Sequence, residues 1–303
     1  MTTNLKNIAL VGASGSLGSK VLDSLIKQGK HNITVITRTA SNATFPDTVK
    51  TCKVDYSDAT GLEAALAGQD VLVIMLAFAG LHDEEGIIEA AGRAGVKYVI
   101  PSEYGLPSRG PMAEEALSLS FMQGKYALHE KITSLGMKYV IVATNSWIDW
   151  SLTYNALGID ATARTAILYT DSIAFNTTTL PQIGLGIAKF LALPRETIDK
   201  QFANGFLYLS SFKLTQPELF QAVLAATRTK ESDWQIERTS FETLIKDGHK
   251  KVSEGDVIAG SIDVVHGITF KAGDYSEEVH NDMLGLKQEN LGEVVRNALS
   301  ISA

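Results

Sequence analysis

Three features of this 303-residue chain have the residue types and spacing to do chemistry. The first is the run Val11-Gly12-Ala13-Ser14-Gly15-Ser16-Leu17-Gly18, in which a strand-like segment passes into a helical one and glycines recur every third position. A tight strand-to-helix turn needs a residue that tolerates unusual dihedrals. A diphosphate must reach the backbone without meeting a Cβ, and the last glycine lets helix and strand pack closely. A helix beginning near Ser16 presents unpaired amides and the positive end of its dipole, so Gly12, Ser14, Gly15, Ser16, Leu17 and Gly18 form a candidate cradle for a dinucleotide diphosphate. The second feature is Arg38, twenty positions after Gly18 in Thr37-Arg38-Thr39, where an acidic residue would read a ribose hydroxyl. A guanidinium there can grip a 2′-phosphate with two hydrogen bonds, which favours NADP(H) as cofactor. Asp55, closing the third strand-like run, can accept from an adenine amino group or cap its own turn.

The third feature is Lys125. Leu117, Phe121, Leu128, Ile132 and Leu135 recur at threes and fours, which predicts a buried stripe on one long helix with Lys125 at its border. A lysine there either works inside a cleft or lays its methylenes on the core and extends its ammonium outward. Tyr104 and Ser102 follow a strand at the sheet edge where open α/β folds bind ligands. Either hydroxyl can orient a substrate, and Tyr104 can equally pack over its turn. His129 lies one turn beyond Lys125 and is either a proton relay and substrate contact or a structural histidine. Asn145, Trp147 and Trp150 follow the sixth strand, as pocket lining or as core between lobes.

These residues need a frame. From residue 6 to about 142, short β-branched runs at 7–11, 33–37, 51–54, 71–76, 98–100 and 138–142 alternate with helical patterns at 20–28, 60–67, 84–94 and 113–135. Gly29, Gly68, Gly95 and Gly136 stand where those helices end. This rhythm predicts an α/β fold, a Rossmann-type doubly wound parallel sheet. Beyond residue 150 the pattern loosens, with helices at 183–193 and 217–227, which predicts a smaller C-terminal α+β lobe for substrate. The expected division is 1–150 for the NADP-binding domain and 151–303 for the second lobe, with the chain free to cross between them more than once.

Composition is that of a globular chain, 45% hydrophobic and 20% charged. The net charge of −7 argues against nucleic acid or an anionic membrane as partner. The single cysteine, Cys52, excludes an internal disulfide, and scattered histidines leave no metal-site spacing. Neither a Gly-x-Ser-x-Gly elbow nor a Gly-Lys-Ser/Thr loop occurs, which removes the hydrolase and nucleoside-triphosphatase readings. The start Met1-Thr2-Thr3-Asn4 lacks a secretory segment and no stretch is long and apolar enough to span a membrane, so a cytoplasmic location is expected, with a homodimer one admissible assembly.

The glycine turn, Arg38, Pro101-Ser102-Glu103-Tyr104-Gly105 and Lys125 together resemble the isoflavone reductase-like and NmrA-like proteins, atypical short-chain dehydrogenases. Asn145, Gln182-Ile183-Gly184 and Leu284-Gly285-Leu286 extend the resemblance over the chain. It implies an NADPH-dependent reductase, with Lys125 in the position of the family lysine and cofactor contacts that include Ala77, Lys125 and Asn145. Ordinary short-chain dehydrogenases carry a tyrosine four residues before that lysine. This chain reads Phe121-Met122-Gln123-Gly124-Lys125, and phenylalanine transfers no proton. Many family members have phenylalanine at the position of Tyr104. The implied substrate is a small aromatic or conjugated molecule of secondary metabolism, reduced at a C=C bond, an imine, a quinone-methide-like centre or a carbonyl. Two other readings stand beside it: an NmrA-type redox sensor that binds NADP(H) without turnover, and a cofactor-assisted cyclase or isomerase.

Overall fold

In the first run, Ile8, Ala9, Leu10 and Val11 are all fully buried, which is what a strand covered on both faces requires and what near-continuous apolar sequence supplies. The computed structural model describes residues 4–108 and 111–300. Met1, Thr2 and Thr3 lie outside the described residues, and so do the side chains of Pro111 and Phe121.

The chain opens with β1 (Asn7–Val11), α1 (Ser16–Gln28), β2 (Asn32–Arg38), β3 (Lys50–Val54), α2 (Ala59–Leu66), β4 (Val71–Ile74), α3 (Glu84–Arg93) and β5 (Tyr98–Ile100). It continues with α4 (Pro111–Ala116), α5 (Ser120–Ser134), β6 (Lys138–Ala143), α6 (Ile148–Thr153), β7 (Ile159–Asp160), β8 (Thr165–Tyr169) and β9 (Phe175–Thr177). Then come α7 (Leu180–Leu191), α8 (Arg195–Gln201), β10 (Gly205–Tyr208), β11 (Phe212–Leu214), α9 (Gln216–Thr227), β12 (Gln235–Thr239), α10 (Phe241–Ser253), α11 (Val257–Ala272), α12 (Asn281–Leu284) and α13 (Leu291–Ala298).

The chain forms two compact units, neither contiguous in sequence. The first comprises residues 1–104, 124–143 and 181–207; the second comprises 105–123, 144–180 and 208–303. Residue 150 is therefore not where one unit gives way to the other: 181–207 belongs with the first, and 105–123 with the second.

In the first unit the sheet runs β3-β2-β1-β4-β5-β6-β10. The six strands expected from sequence all pair in parallel. This is a Rossmann-type order, and the chain changes direction across the sheet between β1 and β4, the point where such sheets bind ligands beyond their carboxyl ends. On one face, Leu62, Leu66, Ile87, Ile88, Ala91 and Ile132 close over Val11, Ile36, Leu72, Ile74 and Val99. Each such aliphatic side chain contributes roughly 1.5–3 kcal/mol on leaving water. Against α1, Gly184 of α7 has a specific reason to be glycine, because a Cβ would stand 2.5 Å from the carbonyl oxygen of Lys20. Gly29, Gly68, Gly95 and Gly136 all have positive φ and end their helices as expected.

The single helix expected over 113–135 is two. Residues 117–119 interrupt it: the amides of Ser118 and Leu119 bond three residues back, and the Ser118 hydroxyl donates to the Glu115 carbonyl. Serine side chains compete in this way with the helical ladder. Leu117 is consequently exposed and leaves the stripe, whereas His129 and Ile132 are buried and Leu128 half-buried.

The second unit is α+β. Its three-stranded sheet runs β12-β8-β7, β9 and β11 pair antiparallel, and Phe175, Phe220, Trp234 and Phe270 anchor a core with α9, α11 and α13. Among the described residues no helix is long and apolar enough to cross a membrane.

Candidate active site

The glycine turn sits at the carboxyl end of β1, and its three glycines are required for different reasons. Gly12 has φ +82, and a Cβ there would lie 2.2 Å from the carbonyl oxygen of Met75 just beyond β4. A Cβ on Gly18 would lie 2.1 Å from the Gly12 oxygen. Those two are demanded by the fold itself. At Gly15 the only neighbour among the described residues that a Cβ would approach is the Gly12 oxygen at 3.3 Å, and the residue is exposed. Its bareness serves the space outside.

The end of α1 that faces this space is uncapped among the described residues. Gly15 is its extended N-cap, without a side-chain cap and without an acidic residue in the first turn. The first helical bond runs from the Ser19 amide to the Gly15 carbonyl, so the amides of Ser16, Leu17 and Gly18 have no acceptor inside the helix. Buried Leu17 pins the turn while Ser14 and Ser16 remain exposed. Unpaired amides, a positive helix end and a corner kept clear of Cβ fit a dinucleotide diphosphate.

Arg38 ends β2 and is exposed; among the described residues it makes no ion pair. Its charge reaches the Tyr56 phenol, which burial pushes up to about 12 against the pull of Arg38. Asp55 takes the capping alternative: one carboxylate oxygen accepts from the Ser57 amide at 3.0 Å and its hydroxyl at 2.8 Å, which holds the carboxyl below its usual range. Ala77 is exposed and leads into a short 3-10 turn over Phe78–Asp83.

Near Lys125 two of the expected hydroxyls have partners in the frame. Ser102 is buried, and its Oγ donates to the Leu76 carbonyl at 2.9 Å. Tyr104 is buried as well. Its phenol donates to the Ile74 carbonyl at 2.9 Å, and burial, with the Glu84 charge adding to it, holds it well above the usual phenol range. Each hydroxyl donates to a main-chain carbonyl in this structure, which for Tyr104 is the packing alternative. His129 is also buried. Its Nε2 lies 2.8 Å from Glu103 Oε2 and its ring stacks on Tyr139 at 4.6 Å. Lys125 remains half-buried.

Two members of this group escaped the sequence reading. Glu84, the first residue of α3, is 2% exposed and accepts from the Ser102 amide at 2.6 Å, and Glu103 is 2% exposed. The available signal was an acid flanked by strand-exit residues, Pro101-Ser102 before Glu103 and Tyr104-Gly105 after it.

The second unit holds the remaining candidates. Asn145 has φ +50 and is 2% exposed, and its amide nitrogen donates to the Asn176 and Gly273 carbonyls at 2.9 and 2.8 Å. Its donors thus brace the unit. Trp147 donates to Thr144 Oγ1 at 3.1 Å and packs edge-on against Trp150, which is the packing alternative. This unit also holds an open pocket of about 660 Å³ lined by Pro107, Met112, Tyr208 and Tyr275, with the Lys213–Asp274 ion pair at 2.7 Å.

Comparison with known proteins places this geometry. A family model described as NAD(P)H-binding matches residues 12–166, just over half of the chain and the part that carries the glycine turn. The chain belongs to this NAD(P)H-binding family. Oxidoreductase poxI of Penicillium oxalicum is 30% identical over 306 residues, covering 95% of this chain and 92% of poxI. Among solved structures, isoflavone reductase superposes with a TM-score of 0.74 at 17% identity, over 97% of this chain and 99% of that one. AtPrR2, solved with NADP+ and (+)pinoresinol, gives the same TM-score and identity over 98% of this chain and 100% of its own. The NAD(P)H-binding character read from the motifs is thus that of the family the chain belongs to, its curated relatives are named oxidoreductases, and its Rossmann-type fold matches that of isoflavone reductase-like structures.

Proposed function

We propose that the protein is an NADPH-dependent reductase of a small aromatic or conjugated acceptor. The observation that carries this reading is the uncapped start of α1 under Gly15, with the Arg38 guanidinium, exposed and in no ion pair among the described residues, ending the strand that follows. The amides of Ser16, Leu17 and Gly18 would hold the diphosphate, and Arg38 the 2′-phosphate, as a charge-assisted pair. Bound there, the nicotinamide cofactor would supply the hydride.

Lys125 is the chain's own candidate for ordering the reacting groups or donating a proton. The Ser102 and Tyr104 hydroxyls are tied to carbonyls, so proton supply at this edge is sparse. Sparse acid catalysis suits acceptors that spread incoming charge over a conjugated system. The aromatic names of isoflavone reductase and of the pinoresinol complex among the structural relatives agree with that class. A substrate role for the second unit is supported by its tyrosine-lined cavity, whose size lies within the ordinary range of small-molecule sites.

The test is calorimetry with NADPH and NADH, followed by NADPH oxidation across a panel of quinones, enones, imines and aryl carbonyls. NADPH should bind more tightly, at least one conjugated acceptor should be consumed in step with it, and Lys125→Ala should abolish turnover while the cofactor still binds. No uptake of either coenzyme would end this reading. Binding without oxidation across the panel would move it to the sensor class.

A further inference from the structure

We infer that the second unit carries a further binding site, for a small organic ammonium ion: an open groove of about 670 Å³ lined by Tyr169 and by the carboxylates of Glu237, Asp247 and Asp263. Among the described residues it has no lining in common with the pocket at Tyr208 and Tyr275. The inference does not rest on the reductase reading.

Strand geometry sets out the groove. Side chains two apart on a strand share a face, so Ile167 and Tyr169 of β8 look the same way. Their partners across the parallel ladder are Glu237 and Thr239 of β12. Asp247 of α10 and Asp263 of α11 line the same space, and so does Tyr154, just beyond α6. Tyr154 is 62% exposed and Ile167 39%, so the groove sets open apolar surface beside acids.

Tyr169 is the residue that points to a ligand. It is 4% exposed, and its ring stacks on Phe270 at 5.1 Å, a packing task that phenylalanine would perform equally well. Its amide donates to Gln216 Oε1 at 2.8 Å and its carbonyl accepts from the Ser172 amide at 3.2 Å, whereas its hydroxyl has no partner among the described residues. A buried hydroxyl left in that state costs free energy, which a ligand that bonds to it recovers.

The surrounding charge decides which ligand. Lys251 holds Asp263 at 2.6 Å and Lys250 faces Glu254 at 3.9 Å, while Glu237 and Asp247 are in no ion pair among the described residues. Burial, and then the Asp263, Glu237 and Asp247 charges in turn, raise the Tyr169 phenol above its usual range, so the field of these acids reaches the hydroxyl. An anion is repelled from such a groove. An ammonium can donate to the phenol oxygen and to a carboxylate, with its apolar stem on Ile167 and the open ring of Tyr154, whose face attracts a cation.

The test is calorimetry of the full-length protein with phenethylammonium chloride, and with phenethyl alcohol and phenylacetate as its neutral and anionic counterparts. The ammonium should bind saturably, and both counterparts at least about tenfold more weakly. Tyr169→Phe keeps the ring on Phe270 and removes only the hydroxyl, so it should weaken the ammonium about tenfold. Glu237→Gln and Asp247→Asn should weaken it about two- to fivefold each, whereas Glu196→Gln, exposed on α8 of the first unit, should leave it unchanged. Absence of saturable uptake, equal uptake of the alcohol, or wild-type affinity in folded Tyr169→Phe overturns the inference. Should Tyr169→Phe fail to fold, the double variant Glu237→Gln, Asp247→Asn decides, and wild-type affinity in it overturns the inference. Coenzyme enters none of these measurements, so the groove and the reductase reading stand or fall separately.

Discussion

Alanine placed separately at Gly12, Gly15 and Gly18 distinguishes what the fold needs from what the ligand needs. At Gly18 the new Cβ would stand 2.1 Å from one main-chain atom and 2.8 Å from others, none of which can swing aside, so overpacking costs about 1–3 kcal/mol. Gly12→Ala adds to a similar clash the left-handed penalty of about 1–2 kcal/mol, about 2–5 kcal/mol in all. Gly15→Ala differs in kind. Its φ of −75 and ψ of 175 suit any residue, and the one close atom, at 3.3 Å, needs to give only slightly. The lower entropy of the unfolded alanine chain stabilises, the poorer alanine N-cap opposes it, and the net lies within about 1 kcal/mol of wild type. The same methyl would stand where a diphosphate reaches the amides. Loss of one hydrogen bond to a charged group, about 1.5–3 kcal/mol, weakens NADPH binding roughly 10- to 150-fold. Urea unfolding at constant m-value reads the first quantity and calorimetry the second. Folded Gly15→Ala with wild-type NADPH affinity would refute the assignment of the turn, and so would Gly18→Ala of wild-type stability.

Arg38→Asp should weaken NADPH roughly 10- to 100-fold and leave NADH nearly unchanged, because it removes one charge-assisted grip and adds repulsion; equal losses in calorimetry would show that another residue reads the phosphate. Tyr104→Phe leaves the Ile74 carbonyl without its donor, so it should lower stability by about 1–3 kcal/mol in urea melts while turnover is retained; a stable but inactive variant would return Tyr104 to the chemistry. His266, fully buried on α11, is held down at about 4 from 6.5, chiefly by burial. Because the folded value lies below the unfolded one, its contribution is complete above pH 6.5 and is lost as pH falls toward 4, about 3 kcal/mol at the limit. Urea midpoints measured across that window should fall less steeply in His266→Asn than in wild type.

What was legible in the sequence was what local pattern dictates. Runs such as Ile8 to Val11 and Val71 to Ile74 can be little other than covered strands, and the four helix-ending glycines mark positions where the backbone takes positive φ. Elements set by distant partners were not legible. β10 joins the sheet beside β6 from more than sixty residues further along, with no signal in its own short sequence. The break at residues 117–119 depends on serine hydroxyls bonding back to carbonyls, which apolar spacing cannot report, and so Leu117 was drawn into a stripe it does not join. Hydroxyl-bearing residues were the least legible of all. Ser102, Tyr104 and Asn145 are types that do chemistry, and only their partners show that the first two spend their protons, and the third its amide, on main-chain carbonyls.

That outcome bears on the chemistry itself. In the tyrosine-lysine arrangement a phenol supplies the proton and the lysine tunes it. Here the position four residues before Lys125 is phenylalanine, and the nearby Tyr104 phenol is buried against the Ile74 carbonyl. Under the proposed reading, Lys125 holds and polarises the acceptor at this edge. A site of that kind accelerates hydride transfer most for acceptors whose product anion is already stabilised by conjugation, since these leave the least for a general acid to do. Acceptor preference therefore becomes a readout of the site: the advantage of conjugated over isolated carbonyls in kcat/KM should be large in the wild type, whereas a site working through a proton donor would reduce both kinds alike.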